Sequence, residues 1–160
     1  MAHANEELIH RFYTAFTKGD AQTMGDCYAD DVEFCDPAFG VLHGEEARSM
    51  WKMLTERAKG RINITFRDVH ADDHKGRAHW EAIYPFSKTG RTVHNKIDAA
   101  FDFKNGKIVR HYDTFNFWSW ASMALGPVGM LLGFTPIIRN KVRREARAQL
   151  EQYMKSAKKS

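Results

Sequence analysis

Two short polar arrangements in the sequence carry side chains that could move protons. Asp36 directly precedes Pro37 at the end of a short alternating apolar segment. His111 and Asp113 stand two residues apart in a later alternating segment, so both side chains project from one face of a strand. A histidine beside a carboxylate in apolar surroundings is typical of an acid/base pair, because burial and mutual charge tune both groups. We therefore predict Asp36, His111 and Asp113 as catalytic residues.

Each of these residues also has a structural interpretation. Asp36 could cap backbone amides in a turn around the Asp-Pro step. His111 and Asp113 could form a buried, hydrogen-bonded pair that fastens neighbouring strands. Both interpretations stay open beside the catalytic one.

Other polar clusters lack the spacing of a metal or cofactor site. The segment 70–74, His-Ala-Asp-Asp-His, lies between two strand patterns, where these residues are typical of a turn. Residues 43–46 lack the two histidines, four apart, of a zinc-protease helix. Cys27 and Cys35 have no metal-ligand spacing and cannot form a disulfide framework. We find no glycine-rich phosphate loop or serine elbow, and we expect neither a metal nor a cofactor.

Helical patterns come first along the chain. Asn5 is a predicted N-cap, and the apolar residues that follow it recur at helical spacing as far as Phe16. Further helices are predicted over 21–28 and 45–59, with short strands over 32–36 and 41–43 between them.

After Gly60 the apolar period changes from 3.6 residues to 2. Four successive strands are predicted, the last from Lys107 to about Phe117, after a turn at Asn105-Gly106. Strands joined by hairpins form an antiparallel sheet, and the helices that precede them must cover one face. The predicted class is α+β, with a curved antiparallel sheet packed on N-terminal helices.

The charge of the chain is unevenly distributed. Its formal net charge is +4, but residues 139–160 alone carry eight basic and two acidic side chains, and the remainder is faintly acidic. This distribution argues against nucleic acid as a partner, because the basic excess belongs to one terminal element. The N-terminus lacks the basic and apolar regions of a secretory signal, so we expect a cytoplasmic protein.

Residues 114–138 contain no charged side chain, a run longer than the roughly 20 residues that span a bilayer. Glycines and prolines within it would interrupt a membrane helix, so we expect an apolar extension that packs over a pocket mouth or across a dimer partner. A final helix should begin at Thr135-Pro136. In a less favoured alternative, residues 130–134 touch a membrane surface while basic residues meet anionic headgroups. Those basic residues are Arg139, Lys141, Arg143, Arg144 and Arg147.

The order of several short motifs resembles the nuclear transport factor 2-like superfamily, which includes the SnoaL-like polyketide cyclases and the ketosteroid isomerases. The motifs are the aromatic helix 11–16, Gly19-Asp20, the segment 28–32, Asp36-Pro37 and the segment 106–108. The resemblance covers roughly residues 5–117. It implies a bent sheet wrapped around helices as a cone, with a pocket in the open end, and a homodimer through the outer face of the sheet.

The same resemblance suggests where catalytic groups of the ketosteroid isomerase branch would fall. Its proton-shuttling aspartate matches Asp36. Its oxyanion-hole tyrosine falls at Phe12, with Tyr13 one position off, and its protonated aspartate falls at Ala99, with Asp98 facing the opposite way. Because both hydrogen-bond donors are missing, we expect no steroid isomerisation.

These expectations combine into a small-molecule-binding domain over residues 1–117, with an extension over 118–160. The ligand is expected to be mostly apolar and to contact Phe12, Tyr13, Trp51, Trp80, Tyr84, Asn95 and Phe115. The aromatic residues among them are equally typical of a core, since the core walls a cone-shaped pocket. Two functions stay open: a cofactor-free acid/base enzyme of the isomerase, cyclase or hydratase type, and a non-enzymatic binding or interaction module.

Overall fold

Six helices and six strands make up residues 2–158, which are the residues that the computed structural model describes. The helices are α1 (Ala4–Thr17), α2 (Ala21–Asp26), α3 (Glu45–Ala58), α4 (Phe117–Leu125), α5 (Pro127–Leu132) and α6 (Pro136–Lys158). The strands are β1 (Tyr28–Asp36), β2 (Gly40–His43), β3 (Asn63–Ala71), β4 (Lys75–Pro85), β5 (Thr92–Lys104) and β6 (Lys107–Thr114). The α+β class is therefore confirmed.

The strands form one curved sheet in the order β2-β1-β6-β5-β4-β3. Strands β3 to β6 are antiparallel neighbours, as predicted, and Asn105 and Gly106 turn the chain with positive φ. β1 pairs with β6 in parallel, a pairing that the prediction for the hairpin-joined strands did not include, so the sheet as a whole is mixed. A long connection through α3 and four strands, β2 to β5, separates β1 from β6, which permits the parallel pairing that a hairpin forbids.

Helix α1 buries the predicted apolar stripe, but its N-cap is His3 rather than Asn5. His3 Nδ1 accepts a hydrogen bond from the backbone N of Asn5 at 3.0 Å. The Asn5 side chain instead donates to the carbonyl oxygen of Asp72 at 2.9 Å, in the turn between β3 and β4. Asn5 therefore joins α1 to the sheet. Its side-chain amide can do so because it does not cap the helix.

Strand β6 ends at Thr114, three residues before its predicted end. Asn116 accepts a hydrogen bond from the backbone N of Ser119 at 3.0 Å and so caps α4. Phe117 thus belongs to a helix and packs with Val93 in a small second core, instead of continuing the β6 face that carries the predicted site.

The uncharged segment folds into α4 and α5. Gly126, with φ of +67°, ends α4, and Pro127 opens α5. Helix α6 begins at Pro136, as predicted, and buries Leu150 in the main core shared by the sheet and the N-terminal helices. No helix within residues 2–158 combines the length and the apolar character needed to cross a membrane.

Gly129 lies where α5 crosses α4, and a Cβ at this position would overlap the carbonyl oxygen of Ala121. Gly129→Ala is expected to push the two helices apart and to lower the free energy of unfolding by about 2 kcal/mol, as overpacking does. Gly25→Ala in α2 is the matched control, because its Cβ would meet only the flexible side chain of Arg48 at 3.4 Å. Urea denaturation measures both variants, and a Gly129→Ala protein as stable as the wild type would contradict this contact.

Candidate functional site

A cavity of about 320 Å³ opens between the sheet, α3, α4 and α6. Alternate residues of β4 and β5 face it, because every second side chain of a strand points to the same side. Most of its lining is apolar or aromatic and includes Phe16, Phe39, Met50, Trp51, Trp80, Ala82, Tyr84, Ile97, Phe115 and Trp120. A cavity of this size and character is suited to a small, largely apolar molecule.

Asp36 and Asp113 are neighbours at the ends of β1 and β6. In this parallel pair Cys35 is opposite Tyr112, so the next residue of each strand points to the same face. Both carboxyl groups line the cavity. Two acidic groups therefore share one apolar site.

The turn after β1 holds Asp36 through one carboxyl oxygen. Asp36 Oδ1 accepts hydrogen bonds from the backbone N of Ala38 at 2.9 Å and of Phe39 at 2.6 Å. The capping role expected for Asp36 is thus present. Its Oδ2 receives no hydrogen bond from residues 2–158, so that oxygen remains available to a ligand.

Burial raises the pKa of Asp36 to about 7, and the charge of Asp113 contributes to the rise. The backbone N–H groups of Phe39 and Ala38 and the charge of Arg143 act in the opposite direction. A pKa near neutrality allows a carboxyl group both to take and to give a proton at physiological pH. This is the condition under which a carboxyl group serves best in proton transfer.

A chain of buried polar groups leads from α3 to Asp113. Trp51 Nε1 donates to Tyr28 Oη at 2.9 Å, and Tyr28 Oη lies 2.7 Å from His111 Nδ1. His111 Nε2 lies 2.9 Å from Asp113 Oδ1, which also accepts a hydrogen bond from Trp80 Nε1 at 3.3 Å. The predicted pairing of His111 with Asp113 is present in the structure.

The indole of Trp51 can only donate, so Tyr28 Oη accepts a hydrogen bond from it. Both ring nitrogens of His111 are used within the chain, Nδ1 toward Tyr28 Oη and Nε2 toward Asp113 Oδ1. The chain fixes the orientation of Asp113 through Oδ1, while Oδ2 accepts no hydrogen bond from residues 2–158.

Two neutral hydrogen-bond donors, Asn95 and Tyr84, also line the cavity. Asn95 is only 8% exposed, and within residues 2–158 its side-chain amide has no hydrogen-bond partner. Tyr84 Oη accepts a hydrogen bond from Trp120 Nε1 at 2.9 Å, which leaves the phenol proton free. Because the Asn95 amide faces the cavity, its N–H groups are placed to donate to a ligand oxygen.

Seven of the ten predicted site residues line the cavity: Asp36, Trp51, Trp80, Tyr84, Asn95, Asp113 and Phe115. Phe12, Tyr13 and His111 do not, and each is fully buried. Phe12 and Tyr13 lie on the buried face of α1, where Phe12 packs against Trp51 and Tyr13 against Trp80, both of which line the cavity. His111 reaches the cavity only through Asp113.

Sequence reasoning missed that α6 forms one wall of the cavity. Val142, Ala146 and Gln149 face it, together with Leu125 of α4. Apolar residues at helical spacing in α6 predict that one face of the helix is buried. They do not identify the surface against which this face packs, because helix periodicity carries no long-range information.

Polar pairs hold α6 across the mouth of the cavity. Arg57 of α3 donates to Gln149 at 2.9 Å, and Lys88, between β4 and β5, pairs with Glu145. All four residues belong to the cavity lining. Helix α6 is therefore joined to both sides of the opening.

Two arginines of α6 hold the turn between β1 and β2. Arg147 donates to the carbonyl oxygens of Phe39 at 3.0 Å and Val41 at 2.9 Å, and Arg143 lies 3.4 Å from that of Pro37. This turn contains the backbone N–H groups of Ala38 and Phe39, which donate hydrogen bonds to Asp36 at the end of β1. Arg143 and Arg147 are thus half-buried and direct their hydrogen-bond donors to the body of the protein.

A second cluster lies on the outer face of the sheet. His79 bridges Asp98 and Glu81 at 2.9 Å each, and His94 binds Glu81 at 2.7 Å. Asp98 thus faces away from the cavity, as predicted. Within the described part of the chain, no three His, Cys, Asp or Glu side chains are arranged to hold a metal ion. A more open, polar depression of about 480 Å³ near the start of β1 contains none of the predicted site residues.

The family model described as a SnoaL-like domain matches residues 9–111. The chain belongs to the SnoaL-like domain family. The matched segment includes Asp36 and His111 and ends two residues before Asp113. The predicted membership of the nuclear transport factor 2-like superfamily is thereby confirmed, and α4 to α6 lie beyond the part of the SnoaL-like domain that the model matches.

Solved structures of the same fold resemble this SnoaL-like domain at low identity. A putative polyketide cyclase from Xanthomonas campestris pv. campestris is 22% identical, with a TM-score of 0.58 over 73% of this chain and 93% of its own. TerC, co-crystallised with polyporic acid, is 17% identical, with a TM-score of 0.64 over 76% and 98%. An LEH-like epoxide hydrolase from M. tuberculosis is 18% identical, with a TM-score of 0.58 over 81% and 96%. No curated protein matches the chain.

Proposed function

We propose that this SnoaL-like protein binds a largely apolar, cyclic small molecule in the cavity and catalyses a cofactor-free proton transfer on it. The observation that carries the proposal is the pair of carboxyl groups, Asp36 and Asp113, in one apolar cavity of about 320 Å³. Each is held through Oδ1 and keeps Oδ2 free of hydrogen bonds from residues 2–158. The reaction is of the isomerase, cyclase or hydratase type.

Asp36 is the base in this proposal. Its carboxylate takes a proton from a carbon beside a carbonyl group of the ligand. Negative charge then develops on the carbonyl oxygen, to which Asn95 and Tyr84 donate hydrogen bonds. Asp36 returns the proton at another atom of the ligand, so the reaction is redox-neutral and consumes no cofactor. Asp113, oriented by His111, is the alternative base, and single substitutions separate the two.

Two structural neighbours support this ligand class. One neighbour is a putative polyketide cyclase and another was co-crystallised with polyporic acid. The aromatic lining of this cavity, with Trp51, Trp80 and Tyr84, offers flat surfaces on which a ring system can stack. We further propose that residues 118–160 act with residues 1–117 as one functional unit, since α4 and α6 supply part of the same wall.

Ligand binding is testable with polyporic acid in a thermal-shift experiment. A ligand at 100 times its Kd stabilises the folded state by about 2.7 kcal/mol, which gives a clear rise in Tm. Ala82→Phe fills the cavity and is expected to remove the shift, whereas Ala100→Phe on the exposed face of β5 should retain it. Each variant is compared with its own ligand-free Tm. A shift that Ala82→Phe leaves intact would place the ligand elsewhere.

Proton transfer is testable without the natural substrate, by following hydrogen–deuterium exchange of 2-tetralone in D₂O by NMR. The wild type is expected to accelerate exchange at the carbon beside the carbonyl, and Asp36→Asn to slow it at least 100-fold. Asp98→Asn, a carboxyl group on the outer face, is the control and should leave the rate unchanged. Loss of exchange in Asp113→Asn but not in Asp36→Asn would identify Asp113 as the base. Binding without exchange would favour the non-enzymatic binding module.

A further inference from the structure

Seven large hydrophobic side chains of the C-terminal extension are exposed together, and we call them the apolar tip. They are Trp118, Val128, Met130, Leu131, Leu132, Phe134 and Ile137, with exposed fractions between 47% and 77%. They occupy the first turn of α4, helix α5, the short segment after it and the start of α6. Contiguous exposed apolar surface of this kind marks an interaction site in a stable protein.

The apolar tip is held in place by contacts beneath it. Trp118 Nε1 donates to the carbonyl oxygen of Met130 at 3.0 Å, which joins α4 to α5. Gly129 and Gly133 lie so close to α4 that a side chain at either position would collide with Ala121. The outward position of the hydrophobic residues therefore follows from tight packing between the two helices, and the tip cannot fold inward without breaking it.

Basic side chains border the apolar tip, and the tip itself is uncharged. No charged residue occurs from Thr114 to Ile138, while Arg139, Lys141 and Arg144 follow and are exposed. Ile137, Lys141 and Arg144 are spaced i, i+4 and i+7, so they lie on one face of α6. Arg91, at the start of β5, reaches the junction of α4 and α5 and donates to the carbonyl oxygen of Met123 at 2.9 Å.

We propose that the apolar tip docks onto the surface of an anionic lipid bilayer. Its hydrophobic side chains enter the boundary between headgroups and acyl chains, while Lys141, Arg144 and Arg139 contact anionic headgroups. The protein lies on the membrane rather than across it, because α5 has six residues and α6 is strongly charged.

Charge complementarity favours a bilayer over a second copy of this chain. A two-fold symmetric contact places the same patch of each copy against itself. The basic border of one tip would then approach the basic border of the other, and like charges would oppose the contact. An anionic bilayer offers the opposite charge together with an apolar layer just below it.

The test is co-sedimentation of the full-length protein with vesicles of phosphatidylcholine alone and of phosphatidylcholine with 30% phosphatidylglycerol. We expect binding to the anionic vesicles, little binding to the neutral ones, and release as salt rises from 0.1 M to 0.5 M, where screening shortens the range of the attraction. If the protein remains in the supernatant with anionic vesicles at 0.1 M salt, the proposal is overturned.

Two pairs of substitutions separate the apolar from the electrostatic contribution. Leu131→Asp with Phe134→Asp is expected to abolish sedimentation. Lys141→Gln with Arg144→Gln is expected to weaken binding about 25-fold, since each basic residue near the surface contributes roughly fivefold. Ile83→Asp and Lys96→Gln, on the outer face of β4 and β5, are the matched controls and should bind as the wild type does.

Far-ultraviolet circular dichroism establishes that each variant is folded, and light scattering after gel filtration measures its mass. If the wild type is a dimer that Leu131→Asp and Phe134→Asp convert to a monomer, and neither form sediments with vesicles, the tip is a self-association surface and the bilayer proposal fails. Unchanged mass with lost sedimentation supports it.

Discussion

Replacing His111 with alanine is expected to lower the free energy of unfolding by about 4 kcal/mol, a large part of the stability of an ordinary domain. His111 is fully buried, and its loss leaves the Tyr28 hydroxyl and Asp113 Oδ1 without a hydrogen-bond partner on that side. It also removes ring contacts at centroid distances of 4.5 to 6.1 Å. The contacting rings are Phe12, Tyr28, Phe34, Trp51 and Phe101. Urea denaturation measures the effect.

The neighbouring Arg110→Ala is the control for this prediction, because Arg110 is exposed and its ion pairs are long, at 3.7 Å. Its effect should stay within about 0.5 kcal/mol. Tyr28→Phe removes only the hydroxyl group and should cost about 1 kcal/mol. The two substitutions share one hydrogen bond, so their effects should not add in the double variant. If His111→Ala lowered the free energy of unfolding by less than about 1 kcal/mol, the buried hydrogen bonds of His111 could not contribute as predicted.

Asp36→Asn is expected to remove most of the pH dependence of stability between pH 4 and pH 7. Burial raises the pKa of Asp36 to about 7 in the folded protein, whereas an unfolded chain holds it at about 4. Between these values the folded state keeps a proton that the unfolded state releases, so wild-type stability falls as pH rises through this window and levels off above it. Three pKa units correspond to at most about 4 kcal/mol. Asp36 is half-buried, and solvent screening reduces the expected effect to roughly 2 kcal/mol.

The asparagine variant is therefore expected to equal the wild type near pH 4 and to exceed its stability by roughly 2 kcal/mol at pH 8. Asparagine retains an oxygen that can accept from Ala38 and Phe39, so the turn is preserved. Asp31→Asn, at an exposed position on β1, is the control and should keep the wild-type slope. Denaturation midpoints from pH 4 to pH 8 measure both. A slope unchanged by Asp36→Asn would mean that Asp36 ionises normally in the folded protein.

The elements were largely predictable because their signals are local. The helical stripe of α1, the alternation of β3 to β5, and the Asn105-Gly106 turn depend only on residues close in sequence. Two element boundaries were predicted wrongly, because one helix cap was overlooked and two residues competed for another. Asn116 capped a helix inside the predicted last strand, and His3 took the cap assigned to Asn5.

The candidate site was predictable in its residues but not in its arrangement. Alternation in β6 correctly put His111 and Asp113 on one face, yet only the packing of α1 and α3 decides that His111 is sealed behind Asp113. The free amide of Asn95 is likewise a property of the folded cavity. Dimerisation through the outer face of the sheet and a cytoplasmic location remain predictions.

The sequence by itself determined the class of fold, the order of the elements, the family and seven of the residues that line the cavity. These follow from periodicities of 2 and 3.6 and from short motifs, which report on neighbours within a few residues. Only the tertiary structure decided that β1 lies parallel to β6, which brings Asp36 beside Asp113. It also decided that α6 closes the cavity while Leu131 and Phe134 face outward. The physical reason is that contacts between distant segments depend on how whole faces pack, and a local pattern specifies a face without specifying its partner.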